Sequence, residues 1–246
     1  MQAFRVATYN VHRCFGRGGR DSTRDVLSIC TDLAPDILAL QELDAPATDD
    51  DAEAEHKARD FAAALGMQLL FCRTVQRGSI GYGHALLAKG PLQLMRAATL
   101  PSAKPGTSEP RGAIWARHTL ASGAHVDVVS THLGTHARDR KVQVRELTGP
   151  RWLGSPDMQG PRILCGDLNA IAGGRTYRTL ARHLTDAQSS LPGHRPLRSF
   201  PSFWPLVRID HVFVSRELTV VRAQVPSDPR VRRASDHRPV VVDLSL

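Results

Sequence analysis

The 246-residue sequence is short of cysteine, of aromatic residues and of long apolar runs, and each shortage narrows what the chain can be. Its four cysteines, Cys14, Cys30, Cys72 and Cys165, are scattered without the paired spacing of a zinc site. Three fall in segments that read as core helix or strand, so they are expected to be buried free thiols in a reducing compartment. Aromatic residues make up 5% of the chain, which leaves no repeated platform for stacking single-stranded bases. No stretch approaches the roughly 18 apolar residues of a membrane span. The opening "MQAFRVATYNV" lacks the basic and apolar regions of a secretion signal, so a soluble cytoplasmic protein is expected. No Pro/Gly/Ser-rich linker or low-complexity run divides the chain, and 1–246 reads as one domain.

What is present is a balanced globular composition with a basic excess. Apolar residues are 41% and charged residues 23%, enough for a substantial core. The 32 Lys and Arg against 24 Asp and Glu give +8 and a pI near 9.9. That excess suits an anionic partner, and it equally suits plain solubility of an Arg-rich chain.

Apolar patterning alternates between strand and helix. "FRVATYNV" and "DILALQE" read as strands; between them Val26, Ile29, Cys30 and Leu33 recur on one helical face. The acidic "TDDDAEAEH" leads into a second helix with Ala58, Phe61, Ala62 and Leu65 on one face, ended by Gly66. Strands follow at 67–75, 84–88, 92–98, 111–119 and 125–132, then a helix over about 138–148, the strand "RILCGDL", and a short helix over about 175–184. Strands near 208–214, 218–225 and 239–245 complete the chain. Many strands with a few helices imply two packed sheets with helices outside, an α/β sandwich.

Polar residues that a core does not need stand at the ends of these strands. "TYNVH" carries Asn10, "ALQEL" Glu42, "STHLG" His132, "GDLNA" Asp167 and Asn169, "RIDHVFV" Asp210, and "SDHRP" Asp236 and His237. Any one of them alone reads as a turn former or a satisfied histidine. Together they are carboxylates, amides and two imidazoles on rigid elements. Hard oxygen donors such as Glu42, Asn10 and Asp236 suit Mg²⁺ or Mn²⁺. His237 is then left to contact a phosphoryl oxygen or handle a proton, with an Asp on its other nitrogen fixing the tautomer.

The ordered set "TYNVH", "LQEL", "STHLG", "GDLNA", "RIDHVFVS" and "SDHRPVVVDL" resembles the endonuclease/exonuclease/phosphatase superfamily over residues 4 to 244, essentially the whole chain. That superfamily holds deoxyribonuclease-like nucleases, abasic-site endonucleases, neutral sphingomyelinases and inositol-phosphate phosphatases. The resemblance implies a four-layered α/β sandwich of two mixed β-sheets packed face to face and flanked by helices, with the site at one sheet edge. It implies Glu42 as main metal ligand, with Asn10 and Asp236 completing or neighbouring its shell. It implies Asp167 orienting or deprotonating the attacking water, Asn169 holding a phosphate oxygen, His132 beside the scissile phosphate, and Asp210 paired with His237. The implied reaction is single-step in-line displacement by water, with no covalent enzyme intermediate.

The substrate is less legible. "GYGHALLAKGPL" places His84 where similar proteins often have Asn, and "EPRGAIWAR" places Arg111 before a strand; both are candidates for substrate phosphate. Arg13, Arg17 and Arg20 either line the mouth or form a solvated basic loop, and Arg230, Arg232 and Arg233 either bind an anionic ligand or are plainly solvated. Within "SFPSFWPLVRIDH", Phe203 and Trp204 are expected to cap the adjoining strand, the other reading being contact with a base or lipid. The expected function is a Mg²⁺- or Mn²⁺-dependent phosphoesterase acting as a monomer on a small or lipid-linked phosphate. A DNA or RNA nuclease with the same centre is the alternative, and an inactive phosphate-binding module a third reading that the complete residue set argues against.

Overall fold

The computed structural model describes residues 2–46, 56–78 and 80–246. Its strands are β1 (Ala3–Asn10), β2 (Ile37–Pro46), β3 (Gln68–Arg77), β4 (Ile80–Ala88), β5 (Leu92–Thr99), β6 (Gly112–Thr119), β7 (His125–His132), β8 (Arg162–Asp167), β9 (Thr185–Asp186), β10 (Asp210–Val214), β11 (Thr219–Gln224) and β12 (Val240–Ser245). They form two six-stranded sheets, one ordered β11, β12, β1, β2, β4, β3 and the other β5, β6, β7, β8, β10, β9. Each sheet holds a parallel pair, β1 with β2 and β7 with β8, flanked by antiparallel neighbours, so both sheets are mixed.

Successive side chains on a strand face opposite ways, so continuous apolar runs fill two cores at once. Ile37 and Ala39 pack between the sheets while Leu38 and Leu40 face outward; Ile163 and Cys165 point in while Leu164 points out. The outer face of the first sheet is covered by α1 (Thr23–Leu33), α2 (Lys57–Leu65) and α6 (Pro229–Ala234) through Val26, Ile29, Phe61 and Val231. The second is covered by α3 (Ala137–Leu147) and α4 (Arg175–Leu180), with Trp152 packed alongside. The short α5 (Ala187–Ser190) follows β9. This is the four-layered α/β sandwich expected from the sequence.

The expected buried face of α1 is observed, and α2 ends at left-handed Gly66 (φ 63°). Several elements differ from the sequence reading. β9 and α5 have no counterpart in it, the helix expected over 175–184 stops at Leu180, β4 starts at Ile80 rather than 84, and α6 lies where the sequence shows only a basic loop. Six residues are too few for a helical period to show; the signal is Asp228, whose side chain accepts from Arg230 N and Val231 N, directly before Pro229. The acidic segment 48–55 lies outside the described residues. All four cysteines are buried and free, Cys14 in a turn. Among the described residues no helix is long and apolar enough to cross a membrane.

One end of the inter-sheet core changes character. Read along the inward-facing positions, Val6, Thr8 and Asn10 on β1, Val128, Ser130 and His132 on β7, Ile163, Cys165 and Asp167 on β8, and Val214, Val212 and Asp210 on β10 all pass from apolar to polar. Register brings the polar ends together, with His132 and Asp210 both paired to Asp167.

Candidate active site

Glu42 joins this cluster through a β-bulge. Leu40 and Leu43, three residues apart, both face the outer core, and the register of β2 on β4 shifts between Gln41 and Leu43. The extra residue is Glu42, whose φ of 62° is left-handed, a conformation costing about 1 kcal/mol or more for a non-glycine residue. Gln41 stays inward, donating to Thr8 Oγ1 at 3.1 Å, and Glu42 turns toward Asn10. Asn10 Nδ2 donates to Glu42 Oε1 at 3.0 Å and to Asp167 Oδ2 at 3.1 Å, tying the two sheets. Its Oδ1 accepts the His12 backbone N–H at 3.0 Å, within a turn where His12, Arg13 and Cys14 all have left-handed φ.

Asp167 is set by its neighbours in "GDLN". Gly166 presses against β7: a Cβ there would lie 1.8 Å from the Thr131 carbonyl oxygen, and its φ is 144°. Asn169, itself left-handed at φ 46°, donates its backbone N–H to Asp167 Oδ1 at 2.8 Å and its Nδ2 to Leu133 O at 2.9 Å. His132 Nε2 lies 3.4 Å from Asp167 Oδ2, 4.0 Å from Glu42 Oε1 and 3.2 Å from Asn169 Nδ2. Arg111 Nη1 is 3.0 Å from His132 Nδ1 and 2.9 Å from Glu109 Oε1. A guanidinium only donates, so Nδ1 accepts and the neutral ring carries its proton on Nε2, facing the cluster.

His237 and Asp210 form a second pair. Nδ1 of His237 donates to Asp210 Oδ2 at 2.9 Å, and its Nε2 lies 3.8 Å from Asp167 Oδ2. Ser199 Oγ donates to the same Asp210 oxygen at 2.5 Å, and the Phe200 ring sits 4.7 Å from the imidazole, centroid to centroid.

Burial and these neighbours separate the protonation states. Burial, and then the Asp210 carboxylate, push Asp167 up to about 7. Burial opposes the charge on His237, yet Asp210 and Asp167 overcome it and raise the imidazole to about 10. Burial and the Arg111 cation hold His132 well below the usual imidazole range. At neutral pH the site thus presents a cationic His237, a neutral His132 and an Asp167 poised between its two forms.

The sequence-predicted residues divide by position. Asn10, Glu42, His132, Asp167, Asn169, Asp210 and His237 converge, and Arg111 touches His132. His84 is 1% exposed and absent from the cavity wall, its pKa lowered to about 4 by burial and Arg111. Glu42 and Arg111 open onto a cavity of about 290 Å³ that Asp44, Tyr82 and Glu109 also line, whereas Asp236 lines a neighbouring cavity of about 280 Å³. His12 borders both and lies 3.9 Å from Asp236. Arg13 pairs with Asp44, and Arg230 turns away to Asp32. Sequence reading assigned nothing to Ser199, Phe200 or His12; the first two sit beside "FPS" and the third inside "TYNVH", but only the folded geometry puts them against Asp210, His237 and Asp236.

A divalent cation fits these donors. Among the described residues, the cavity over Glu42 is walled by three carboxylates and no thiolate: Glu42, and Asp44 and Glu109, which pair with Arg13 and Arg111. Deeper in, ligand atoms of Asp167, Asp210 and His237 also lie within 4.8 Å of one another, but the cationic His237, bonded to Asp210, has no lone pair for a metal, which leaves the carboxylate side around Glu42. Oxygen-rich donors of this kind suit Mg²⁺ or Mn²⁺.

A four-layered sandwich with buried carboxylates, amides and imidazoles gathered at one end of its two sheets defines the class, and comparison with known proteins agrees. The Endonuclease/Exonuclease/phosphatase family model matches residues 7–237, and the chain belongs to that family, whose members hydrolyse phosphate esters. It is 25% identical to the uncharacterized protein YbhP of Escherichia coli K12, over 99% of this chain and 97% of that one. Among solved structures, an endonuclease/exonuclease/phosphatase from Beutenbergia cavernae superposes with a TM-score of 0.75 at 22% identity, covering 100% of this chain and 72% of that one. The mannosyl-6-phosphatase Bt3783 of Bacteroides thetaiotaomicron superposes with a TM-score of 0.77 at 19% identity, covering 99% and 100%.

Proposed function

We propose that the chain is a divalent-metal-dependent phosphoesterase that hydrolyses a phosphodiester or phosphomonoester by in-line attack of water, on a small or lipid-linked substrate. The observation that supports this most is the placement of Asp167 against Asn10, His132 and His237, with its pKa held near neutrality. A carboxylate so poised takes a proton from water and aligns it for attack. Mg²⁺ or Mn²⁺ held by Glu42, with Asn10 beside it and Asp236 on the far side of His12, would supply charge neutralisation at the phosphoryl oxygens. Cationic His237, oriented by Asp210, donates to a phosphoryl oxygen, and Asn169 Nδ2 holds a non-bridging one. His132 Nε2–H donates beside the scissile bond, its tautomer fixed by Arg111, and Arg111 faces substrate phosphate at the cavity wall. His84, the other candidate for substrate phosphate, is buried behind that wall and out of reach of a substrate in the cavity. The chain acts as one monomeric catalytic domain, and its free buried thiols favour a reducing, cytoplasmic compartment.

A nuclease is the second reading, favoured by one feature. A groove of about 610 Å³ between α3 and α4 is lined by Arg138, Arg140, Lys141, Arg145 and Arg175, and reaches Ala170 beside the site. A panel of aryl mono- and diesters, supercoiled and abasic DNA, RNA, phospholipids and inositol phosphates, run with Mg²⁺, Mn²⁺ or chelator, tests both. Chelator-sensitive cleavage of a soluble or lipid ester is expected. Cleavage confined to nucleic acid, with affinity falling steeply as salt rises, would select the second reading; no chelator-sensitive hydrolysis of any substrate would refute both.

A further inference from the structure

The loop at 200–207 is fastened rather than free. Phe200 N donates to Val207 O at 3.1 Å and Leu206 N to Phe200 O at 2.8 Å, closing its base. Ser202 holds the tip, its Oγ donating to Ser235 O at 2.6 Å and its N–H to Asp236 O at 2.6 Å, while Arg238 Nε donates to Ser202 O. Sequence reading expected Phe203 and Trp204 to cap the adjoining strand. Instead this anchored tip projects Phe203, Trp204 and Leu206 into solvent, 55%, 72% and 58% exposed. A loop so well held has no folding reason to leave three large apolar side chains in water.

Arginines surround the tip. The Arg17 guanidinium lies 4.3 Å from the Phe203 ring centroid, and Arg17, Arg20, Arg232, Arg233 and Phe203 line a cavity of about 470 Å³. Asp21 and Asp25 share its wall, leaving a positive excess. Among the described residues none of these four guanidiniums has a carboxylate within ion-pair distance, so their charge is free to meet an outside anion. The adjoining cavity of about 280 Å³ runs from Phe203 and Arg17 to His12 and Asp236 at the catalytic mouth.

We infer that this face docks on an anionic membrane surface, with Trp204, Phe203 and Leu206 entering the headgroup boundary, the arginines meeting lipid phosphates, and the site turned toward phospholipid headgroups. The choice of headgroup as substrate rests on the phosphoesterase reading above; the docking does not. Exposed Trp, Phe and Leu rimmed by Arg is the chemistry of a protein seated at a lipid interface. Leu206 cannot stack on a base, and the Phe203 ring is already engaged by Arg17, which disfavours nucleic acid. A second copy would set like-charged arginines against each other.

The test uses the full chain with pure phosphatidylglycerol and pure phosphatidylcholine vesicles. Trp115 and Trp152 are only 4% and 1% exposed, so a change in tryptophan emission on binding reports Trp204. The expected result is co-sedimentation and a blue shift with phosphatidylglycerol vesicles and much less with phosphatidylcholine. Trp204→Ala should weaken binding roughly tenfold and Arg20→Ala about fivefold, both keeping wild-type hydrolysis of a soluble aryl diester. Absence of vesicle binding, or binding that Trp204→Ala leaves unchanged, would overturn the inference. So would a shift produced by single-stranded oligonucleotide instead of vesicles, or a Trp204-dependent dimer in sedimentation. Loss of the soluble diesterase in wild type with vesicle binding intact would strike the phosphoesterase reading alone.

Discussion

On the proposed mechanism, Asp167 and His237 act in opposite protonation states at neutral pH, and their surroundings supply them. Asp167, pushed up to about 7 by burial and Asp210, acts once it has lost its proton, so kcat/KM rises as pH passes that region. His237, raised to about 10 against its burial by Asp210 and Asp167, acts while it keeps its proton, so the rate falls as pH nears 10. The two limbs belong to the interacting Asp167 and His237 pair rather than to single residues. His237→Ala should remove the alkaline limb and, by deleting a cation that lowers Asp167, move the acid limb upward. Its rate, and that of Asp167→Ala, should fall by more than the roughly 10²–10³-fold that one lost electrostatic contact costs, because proton handling or nucleophile alignment fails as well. Near wild-type turnover in either folded variant would refute the assigned role.

At the scale of strands and turns, the site depends on backbone irregularities that place inward-facing residues. Gly166 is the tightest: a Cβ would meet the Thr131 carbonyl at 1.8 Å, between backbones that cannot step aside. Gly166→Ala should therefore cost about 3 kcal/mol or more in denaturant unfolding. Gly173→Ala, also at positive φ but with nothing within 4 Å of the added atom, should cost only about 1 kcal/mol. Equal costs would mean that the close approach at Gly166 is unimportant. These irregularities also bound what the sequence could reveal. The polar residues at strand ends were visible as breaks in apolar runs, and so were β1, β7, β8 and α1, whose periods are long enough to read. The bulge at Glu42 was not, since "LALQELD" fits an unbroken strand equally well. Nor was the division of Glu42 and Asp236 between two cavities, which follows from the left-handed turn that puts His12 between them. Ser199 was illegible because it meets Asp210 across a loop whose path no local pattern records.

For the whole molecule, burying a polar cluster at the end of an apolar core makes stability depend on pH from both sides. His84 is held at about 4 by burial and Arg111, and His132 is also depressed; both contribute stability above the usual imidazole pKa that is lost as pH falls toward their folded values. For His84 that contribution is about 3 kcal/mol. Asp167 and His237 are raised, so theirs is complete at low pH and is lost as pH rises through about 7 and about 10. Unfolding midpoints should fall on either side of near-neutral pH, and His84→Asn should flatten the acid side; a midpoint that does not change with pH would contradict this. The central claim is that Glu42 holds the cation at which this cluster hydrolyses a phosphate ester, and the most direct measurement is the metal dependence of aryl diester hydrolysis in wild type and Glu42→Gln. The account predicts activity abolished by chelator, restored by Mg²⁺ or Mn²⁺, and a half-saturating metal concentration raised at least about tenfold in the variant. Chelator-resistant hydrolysis, or the same metal dependence in both proteins, would contradict it.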